Sequence, residues 1–280
     1  MVDYLVPSNL DAALTAFDQG SWTVLAGGTD FYPARVGRPL TDSVLDISRL
    51  DELRGISATD DSYRIGALTR WADIRVAELP RAFDGLRLAA SEVGGIQVQN
   101  AGTIAGNLCN ASPAADGIPP LLALDAAVEV SSRSEQRVVP LSKFLTGYRQ
   151  TDLRAGELVT AVIVPRQVEE AFSDFQKLGS RSYLVISIVM VATVIATASD
   201  GTIADARIAV GACSPVAQRL TELESELRGK HLSDQLPHLP TMHHLDPLAP
   251  IDDVRATADY RLEATLALIR RSLHRFVESS

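Results

Sequence analysis

The stretch Asn100–Asp116 reads NAGTIAGNLCNASPAAD, and the rest of the chain is organised around it. Large apolar side chains are nearly absent from it, and glycines stand at positions 102 and 106. Glycine permits positive φ and has no Cβ, so the backbone N–H groups of such a segment can approach a bulky anion. We predict a long functional loop here, because loops of this length inside compact domains usually carry function. The alternative is a plain surface loop.

A second segment of the same character, Leu25–Phe31 (LAGGTDF), follows the apolar run Trp22–Ala26, which we predict to be a strand. The end of a strand is where open α/β folds bind ligands. Two such loops, far apart in sequence, could together hold one extended ligand such as a dinucleotide. The competing interpretation is a tight turn with Asp30 as a helix cap. The segment is neither a GxGxxG fingerprint nor a P-loop.

Composition indicates a globular protein of two or three domains. The 280 residues are 46% hydrophobic, 22% charged and 5% aromatic, which excludes intrinsic disorder. The net charge of −9 argues against binding to nucleic acid or to an anionic membrane. The most apolar run, Tyr183–Ala198, is interrupted by serine and threonine, so we interpret it as a buried strand and expect no membrane insertion.

The N-terminus lacks the basic and apolar segments of a secretory signal, so we expect a cytoplasmic protein. The only cysteines in the sequence are Cys109 and Cys213. Two thiols indicate no disulfide framework and cannot alone ligate an iron–sulfur cluster or a structural zinc ion. Cys109 is interpreted as a small packing residue, because no base accompanies it.

No motif for nucleophilic or acid–base catalysis is evident, so we assign no catalytic residue and no metal ligand. The histidines at 231, 238, 243 and 244 are irregularly spaced in a proline-rich segment, which favours a surface loop over a metal site. Asp116 could accept hydrogen bonds from ribose hydroxyls or an adenine amine. Lys177 is either a solvated lysine at a strand end or a charge beside a reduced flavin or a phosphate.

The order of predicted elements divides the chain near residue 167. Before this point strands alternate with helices, which predicts α/β units, and Ser8 is expected to cap the first helix. After it, an antiparallel meander is predicted, followed by helices. The predicted strands of the meander are Ala171–Leu178, Ile186–Thr197 and Ile203–Val210, and the predicted helices are Leu220–Arg228 and Asp259–Val277.

Three motifs in this order, LAGGTDF, NAGTIAGNLCNASPAAD and FQKLGSRSY, resemble those of the FAD-binding (medium) subunits of molybdenum hydroxylases. Members of this family include xanthine dehydrogenases and the medium subunit of aerobic carbon monoxide dehydrogenases. The resemblance covers nearly the whole chain, through ARIAVGACSPVAQRLTELESELRGK to a helix that contains Asp259-Tyr260-Arg261. The ordered combination is far more specific than any single motif.

The resemblance implies an α+β fold. Residues 1–166 would form an FAD-binding domain of the vanillyl-alcohol-oxidase-like (PCMH) type, with two α/β subdomains at about 1–55 and 56–166. Residues 167–280 would form a C-terminal domain like that of carbon monoxide dehydrogenase flavoproteins, with an antiparallel three-stranded sheet and helices.

The resemblance also implies a set of FAD-binding residues. The expected residues are Val24, Leu25, Ala26, Gly27, Gly28, Thr29, Asp30, Phe31, Thr103, Ile104, Ala105, Gly106, Asn107, Asp116, Val159, Lys177 and Ile186. The first eight match one pyrophosphate loop of the family and the next five match the other. Asp116 would hold the adenosine end and Val159 would contact the flavin, while Lys177 and Ile186 would lie at the isoalloxazine ring.

The function implied by the resemblance is electron relay. Substrate is hydroxylated at a molybdenum–pterin centre on a large subunit, and electrons pass through two [2Fe-2S] clusters on a small subunit to FAD on this chain. The flavin then reduces an acceptor. A dimer of heterotrimers is the expected assembly. The substrate and the acceptor (NAD, oxygen, a quinone or another compound) are left open by the sequence.

Two positions depart from the pattern of the family. Gln99 stands where an arginine is common, and Leu184 stands where an acidic residue is common, which leaves the electrostatics of one flavin face open. One alternative function is a self-contained FAD oxidoreductase of the same fold. Another is a flavin-free scaffold subunit, against which the intact glycines of both loops, together with Asp116 and Lys177, argue.

Overall fold

A computed structural model describes residues 2–166 and 171–278 of the chain, so the predicted boundary at residue 167 lies outside the described residues. The predicted α+β class is confirmed, because helices accompany one parallel sheet and several antiparallel ones. The helices are α1 (Leu10–Gln19), α2 (Trp71–Val76), α3 (Asp84–Glu92), α4 (Ile96–Ala101), α5 (Ile104–Asn110), α6 (Ile118–Ala123), α7 (Leu141–Phe144), α8 (Thr221–Leu227) and α9 (Ala258–Glu278). Among the described residues, none of these helices is both long and apolar enough to cross a lipid bilayer.

The strands form sheets of three, five, four and two members, in the orders β1-β3-β2, β4-β5-β10-β6-β7, β11-β12-β13-β14 and β8-β9. They are β1 (Tyr4–Leu5), β2 (Thr23–Leu25), β3 (Val44–Asp46), β4 (Ile56–Ala58), β5 (Ser62–Gly66), β6 (Ala127–Ser131), β7 (Gln136–Pro140), β8 (Leu145–Gly147), β9 (Gln150–Thr151), β10 (Leu158–Pro165), β11 (Phe172–Leu178), β12 (Val189–Thr197), β13 (Ile203–Gly211) and β14 (Gln218–Arg219).

The N-terminal part is a small parallel sheet with α1 packed on it. Strand β3 lies between β1 and β2 and is parallel to both. Asn9, and not the predicted Ser8, caps α1, because its Oδ1 accepts a hydrogen bond from the Ala12 N–H at 2.8 Å. Strand β2 ends at Leu25, which is buried, so the glycine loop that follows emerges at the edge of this core.

The second part is a five-stranded antiparallel sheet, with a helical cluster that packs around the indole of Trp71, only 1% exposed. The predicted long loop at 100–116 is wrong over Ile104–Asn110, which is helix α5. Thr103 caps this helix, since its Oγ1 accepts the Gly106 N–H at 3.1 Å. Ile104 and Leu108, four residues apart, are fully buried and anchor the helix, although small residues fill most of the segment.

The C-terminal part contains the three predicted antiparallel strands, and a short fourth strand, β14, extends the sheet beyond β13. Strand β12 starts at Val189 rather than at Ile186, and Ile186 is more than half exposed. Met190 and Ala192 belong to the core shared with the second part, whereas Val189 and Val191 belong to the core under α9. Burial on both faces explains why this strand is a continuous apolar run in the sequence.

Arg261 ties α9 to the sheet. Its side chain is 3% exposed, and Nη1 donates to the carbonyl oxygens of Ile188 at 2.6 Å and Ala212 at 3.1 Å. Nη2 donates to Asp253 Oδ1 at 2.7 Å. Burial raises the pKa of Asp253, but hydrogen bonds from Arg255 and Arg261 outweigh this effect and lower the pKa to about 2. The Asp253 carboxylate therefore stabilises the fold fully at pH values above its ordinary pKa of 3.8, and this stabilisation is lost as the pH falls through about 2.

Replacing Arg261 by methionine should lower the free energy of unfolding at neutral pH by about 3 kcal/mol, because one carboxylate and two carbonyl groups lose their buried partner. Urea unfolding of the purified chain measures the change. Arg271→Met, on an exposed face of the same helix, is the matched control and should shift the midpoint little. Equal midpoints for the two variants would contradict the role given to Arg261.

Candidate functional site

A cleft of about 460 Å³ lies between the N-terminal sheet, α5 and the start of β10. It brings together most of the residues expected from the sequence. Those that line it are Val24, Ala26, Gly27, Gly28, Thr29, Asp30, Phe31, Thr103, Ala105, Gly106, Asn107 and Val159. Leu25 and Ile104 lie behind the wall of the cleft as buried core residues.

The two glycine-containing segments touch through their backbones. A Cβ atom on Gly27 would lie 2.1 Å from the carbonyl oxygen of Ala101 and 2.9 Å from the Cα of Gly102. No side chain can occupy that space, so only glycine allows this approach. Gly28 has a φ of +73°, which favours glycine for a second reason. The glycines are therefore needed to bring the segments together before any ligand is considered.

The backbone N–H groups of Gly27 through Phe31 donate to no group among the described residues. The carbonyl groups of this loop are used, since Gly28 accepts from the Tyr32 N–H at 3.1 Å and Asp30 accepts from the Ala34 N–H at 3.2 Å. A row of successive unpaired backbone N–H groups is an anion-binding arrangement. This loop therefore has the donors that the sequence predicted for it.

The N–H groups of the second segment are already in use. Ile104 donates to the Thr69 carbonyl at 3.0 Å, Ala105 donates to the Ala67 carbonyl at 3.2 Å, and the Gly106 N–H is held by the Thr103 hydroxyl. The expectation that N–H groups around Gly106 would bind a ligand is therefore corrected. These donors are already hydrogen-bonded at the start of helix α5, which the sequence did not predict.

The second segment offers open space and one unpaired acceptor instead. Gly106 is exposed in the cleft, and a Cβ atom there would meet only the Thr103 Oγ1, at 2.9 Å. The Oδ1 atom of Asn107 is buried and has no hydrogen-bond partner among the described residues. A buried polar atom without a partner is costly, and Asn107 is also one of the residues that line the cleft.

The far wall of the cleft is held by a buried ion pair. Val159 lines the cleft and is 5% exposed, and it follows Glu157 at the start of β10. Both carboxylate oxygens of Glu157 accept from Arg137 at 2.7 Å, a bidentate geometry. The hydrogen bonds from Arg137 lower the pKa of Glu157, and they outweigh burial, which acts to raise it. The pair fixes the apolar wall that Val159 presents.

Asp116 and Lys177 form a buried pair outside the lining of the cleft. Lys177 Nζ is 2.9 Å from Asp116 Oδ2 and also donates to the Glu92 carbonyl at 3.0 Å. The Ser187 hydroxyl donates to Asp116 Oδ1 at 2.9 Å. Burial raises the pKa of Asp116, although Lys177 and Ser187 act to lower it. Because the two side chains are in contact, they cannot serve opposite ends of an extended ligand, which corrects the roles expected for them.

The pair nevertheless adjoins the cleft. A Cβ atom on Gly117, the residue after Asp116, would lie 2.9 Å from Asn107 Oδ1, so the two sites share a wall. Ile186 does not reach the cleft. It lines a second cavity of about 480 Å³, together with Tyr148, Arg149 and Ser187.

The two departures from the family pattern lie at different kinds of position. Gln99 is 3% exposed, and its amide donates to the Ser91 carbonyl at 2.9 Å and accepts from Arg75 at 3.3 Å, so its role is structural. Leu184 is 51% exposed, with a φ of 50° that is unusual for a residue with a Cβ.

The residues that line the cleft but were not expected from the sequence include Phe17, Arg35, Leu153 and Glu157. These residues carry no local signal of a ligand site in the sequence. Cys109, interpreted as a packing residue, also lines the cleft. Among the described residues, no three or more histidine, cysteine, aspartate or glutamate side chains are grouped so as to hold a metal ion.

Replacing Lys177 by methionine leaves the Asp116 carboxyl buried without a cation. Its pKa should rise further, so the folded state should hold a proton that the unfolded chain releases. The free energy of unfolding should fall by about 3 kcal/mol at neutral pH, and the loss should grow as the pH rises from about 5 to about 8. Urea unfolding at several pH values measures it.

Two further variants test the cause. The double variant Lys177→Met/Asp116→Asn should lose the added pH dependence, because no carboxyl remains to titrate. Lys230→Met removes an exposed lysine and should behave like the unaltered chain. A Lys177→Met variant whose stability does not vary with pH would show that Asp116 is not the group affected.

Comparison with known proteins places this architecture in a family. A family model described as "FAD binding domain in molybdopterin dehydrogenase" matches residues 1–167. Another, "CO dehydrogenase flavoprotein C-terminal domain", matches residues 174–276. The chain is 33% identical to the glyceraldehyde dehydrogenase medium chain of Sulfolobus acidocaldarius, over 89% of this chain and 88% of that one.

Two further matches agree. The chain is 29% identical to the xanthine dehydrogenase FAD-binding subunit of Escherichia coli O157:H7, over 96% of this chain and 94% of that one. A solved structure of carbon monoxide dehydrogenase from Hydrogenophaga pseudoflava matches with a TM-score of 0.86 at 28% identity, covering 98% of this chain and 96% of that chain. The predicted family and the predicted FAD-binding domain are confirmed. The chain belongs to the FAD-binding subunits of molybdopterin dehydrogenases, which are oxidoreductase subunits.

Proposed function

We propose that this chain is the FAD-binding, electron-transferring subunit of a molybdenum hydroxylase complex. The observation that carries the proposal is the row of unpaired N–H groups from Gly27 to Phe31, which borders the same cleft as Asn107, whose side-chain oxygen has no partner among the described residues. A flavin dinucleotide supplies what this arrangement lacks, since its pyrophosphate accepts hydrogen bonds and its hydroxyl and amine groups donate them.

The residues of the cleft fit the cofactor. The N–H groups of Gly27–Phe31 would hold the pyrophosphate, and Thr29 can add a hydroxyl donor. The open surface over Gly106 leaves room for the cofactor backbone, and Val159 presents an apolar contact for the ring. In this proposal the Asp116–Lys177 pair stays together beside the cleft, next to Asn107, rather than being split between the two ends of the cofactor.

FAD held in this cleft would supply the redox chemistry of the proposed relay, which is the transfer of electrons to an external acceptor. The chain's own residues bind and orient the flavin and exclude water from it, so no catalytic residue or metal ligand is assigned to this chain. The molybdenum–pterin centre is assigned to a large subunit and two [2Fe-2S] clusters to a small one. The names "medium chain" and "FAD-binding subunit" among its relatives support a place in such a complex.

The same proposal includes the organisation of the chain and of the assembly. Residues 1–166 would form the FAD-binding domain, with subdomains at about 1–55 and 56–166, and residues 167–280 the C-terminal domain. The complex would be a cytoplasmic dimer of heterotrimers. Both cysteines are unpaired, which is in keeping with a reducing compartment.

The direct test is the visible absorption spectrum of the purified chain, followed by denaturation and identification of the released cofactor. Release of FAD, with molybdenum- and iron-containing proteins recovered when the chain is purified from its own cells, supports the relay. Turnover of a small substrate by the chain alone would favour the self-contained oxidoreductase. A folded chain that is colourless and does not take up added FAD would favour the scaffold.

Gly106→Val places a branched side chain in the open part of the cleft, where the cofactor must approach. We expect at least a tenfold loss of FAD affinity, or about 1.4 kcal/mol, with the fold retained. Titration of the cofactor-free chain with FAD measures the affinity, and circular dichroism checks the fold. Gly106→Ala, with its smaller side chain, should lose less. A Gly106→Val chain that keeps full flavin occupancy would contradict the position given to FAD.

A further inference from the structure

Arg35 lines the cleft but belongs to neither of the glycine-containing segments. It ends the short 3-10 turn Pro33–Arg35, which follows the row of unpaired N–H groups at Gly27–Phe31. Its side chain is 27% exposed, so it is accessible from the cleft and yet largely surrounded by protein. The proposed function gives this residue no role.

The guanidinium group of Arg35 is held in place by Phe31. Its Cζ atom lies 3.9 Å above the centre of the phenyl ring, and Nη1 donates to the Phe31 carbonyl at 3.1 Å. Nη2 lies 3.5 Å from Asp42 Oδ2, a long contact with a carboxylate that is itself 55% exposed. Nε donates to no group among the described residues. A planar donor group that is already oriented loses little freedom when it binds an anion.

The charges around the cleft single out this residue. The charged side chains that line it are Asp30, Arg35 and Glu157, so Arg35 is the only cation in the described lining. Glu157 is neutralised by its bidentate partner Arg137. Asp30 is exposed and lies 3.9 Å from Arg149, too far for a strong bond. An anion in this cleft would therefore have Arg35 as its nearest positive charge within the lining.

We propose that Arg35 neutralises the pyrophosphate of FAD and thereby makes the cleft selective for dinucleotide over phosphate-free flavin. This inference rests on the proposed function and adds a residue to it. The unpaired N–H groups of Gly27–Phe31 can donate directional hydrogen bonds to the pyrophosphate but carry no net charge. Arg35 supplies the positive charge. The competing role is purely structural, in which Arg35 only holds the loop that carries Phe31.

The test measures binding of FAD, ADP and riboflavin to the full chain after its cofactor has been removed. Arg35→Gln should weaken FAD and ADP about tenfold at low salt and leave riboflavin unchanged, because riboflavin has no phosphate. The difference from the unaltered chain should shrink as salt rises, since ions screen the lost attraction. Arg35→Lys keeps the charge and should retain most of the affinity.

Arg38→Gln is the matched control, because it removes the same charge from the same loop at a residue that does not line the cleft. It should change FAD affinity less than about twofold. Equal FAD affinity in Arg35→Gln and the unaltered chain would overturn the inference. A loss of affinity that is as large for riboflavin as for ADP would also overturn the inference. So would a loss of affinity that does not change with salt, because either result indicates a structural role for Arg35.

The unaltered chain provides a measurement that needs no variant. Its FAD affinity should fall as salt rises while its riboflavin affinity stays level, and the absence of that difference would also overturn the inference. An unaltered chain that is folded and binds no FAD would instead refute the proposed function. The two failures are thus distinguishable.

Discussion

The structure depends on one close contact, where the backbone of Gly27 meets that of Ala101 and Gly102. A side chain on Gly27 would collide with the Ala101 carbonyl, at 2.1 Å. On the other side of the contact, the Gly102 carbonyl accepts from the Trp71 N–H at 3.2 Å. The junction between α4 and α5 is therefore fixed between a glycine loop and a buried tryptophan. This contact joins the N-terminal sheet to the second part of the chain and defines the floor of the cleft.

The two segments that meet there have different tasks, although their compositions are similar. The loop from Gly27 to Phe31 leaves its N–H groups unpaired, which makes it the part that can receive an anion. In the segment from Thr103 to Asn107, the N–H groups donate to the Thr103 cap and to carbonyl groups of residues 67–69. This segment therefore has a structural role. The Asn107 side-chain oxygen is the atom of this segment that has no partner among the described residues. A cleft built in this way is rich in neutral donors and poor in positive charge.

The C-terminal part is joined to the region beside the cleft through the Asp116–Lys177 pair. Lys177 comes from β11, Asp116 from the segment that follows α5, and the Ser187 hydroxyl completes the set. A buried pair of this kind stabilises little by itself, but losing one partner is expensive. It therefore favours a single arrangement of the C-terminal sheet relative to the cleft, next to the residue that adjoins Asn107. Helix α9, attached through Arg261, closes the other face of that sheet.

Several features follow from the sequence alone. The longest apolar run predicted strand β12 of the C-terminal sheet, because a strand buried on both faces is apolar over nearly its whole length. The glycines at 27, 28 and 106 marked the cleft, since Gly27 allows a close backbone approach, Gly28 a positive φ, and Gly106 leaves the cleft open. The ordered motifs predicted the family. These are local properties of the chain, and local patterns are visible in a sequence.

Other features were decided by the tertiary structure. Helix α5 was missed because two buried anchors, Ile104 and Leu108, outweigh a stretch of small residues that reads as a loop. Asp116 and Lys177 are 61 residues apart in the chain, and no local pattern could pair them. The convergence of Phe17, Arg35 and Glu157 on one cleft depends on the packing of three separate elements. The sequence by itself determined the three longer strands of the C-terminal sheet and the glycine turn after β2, whereas packing decided which N–H groups stay free and which charges meet, because both depend on neighbours distant in the chain.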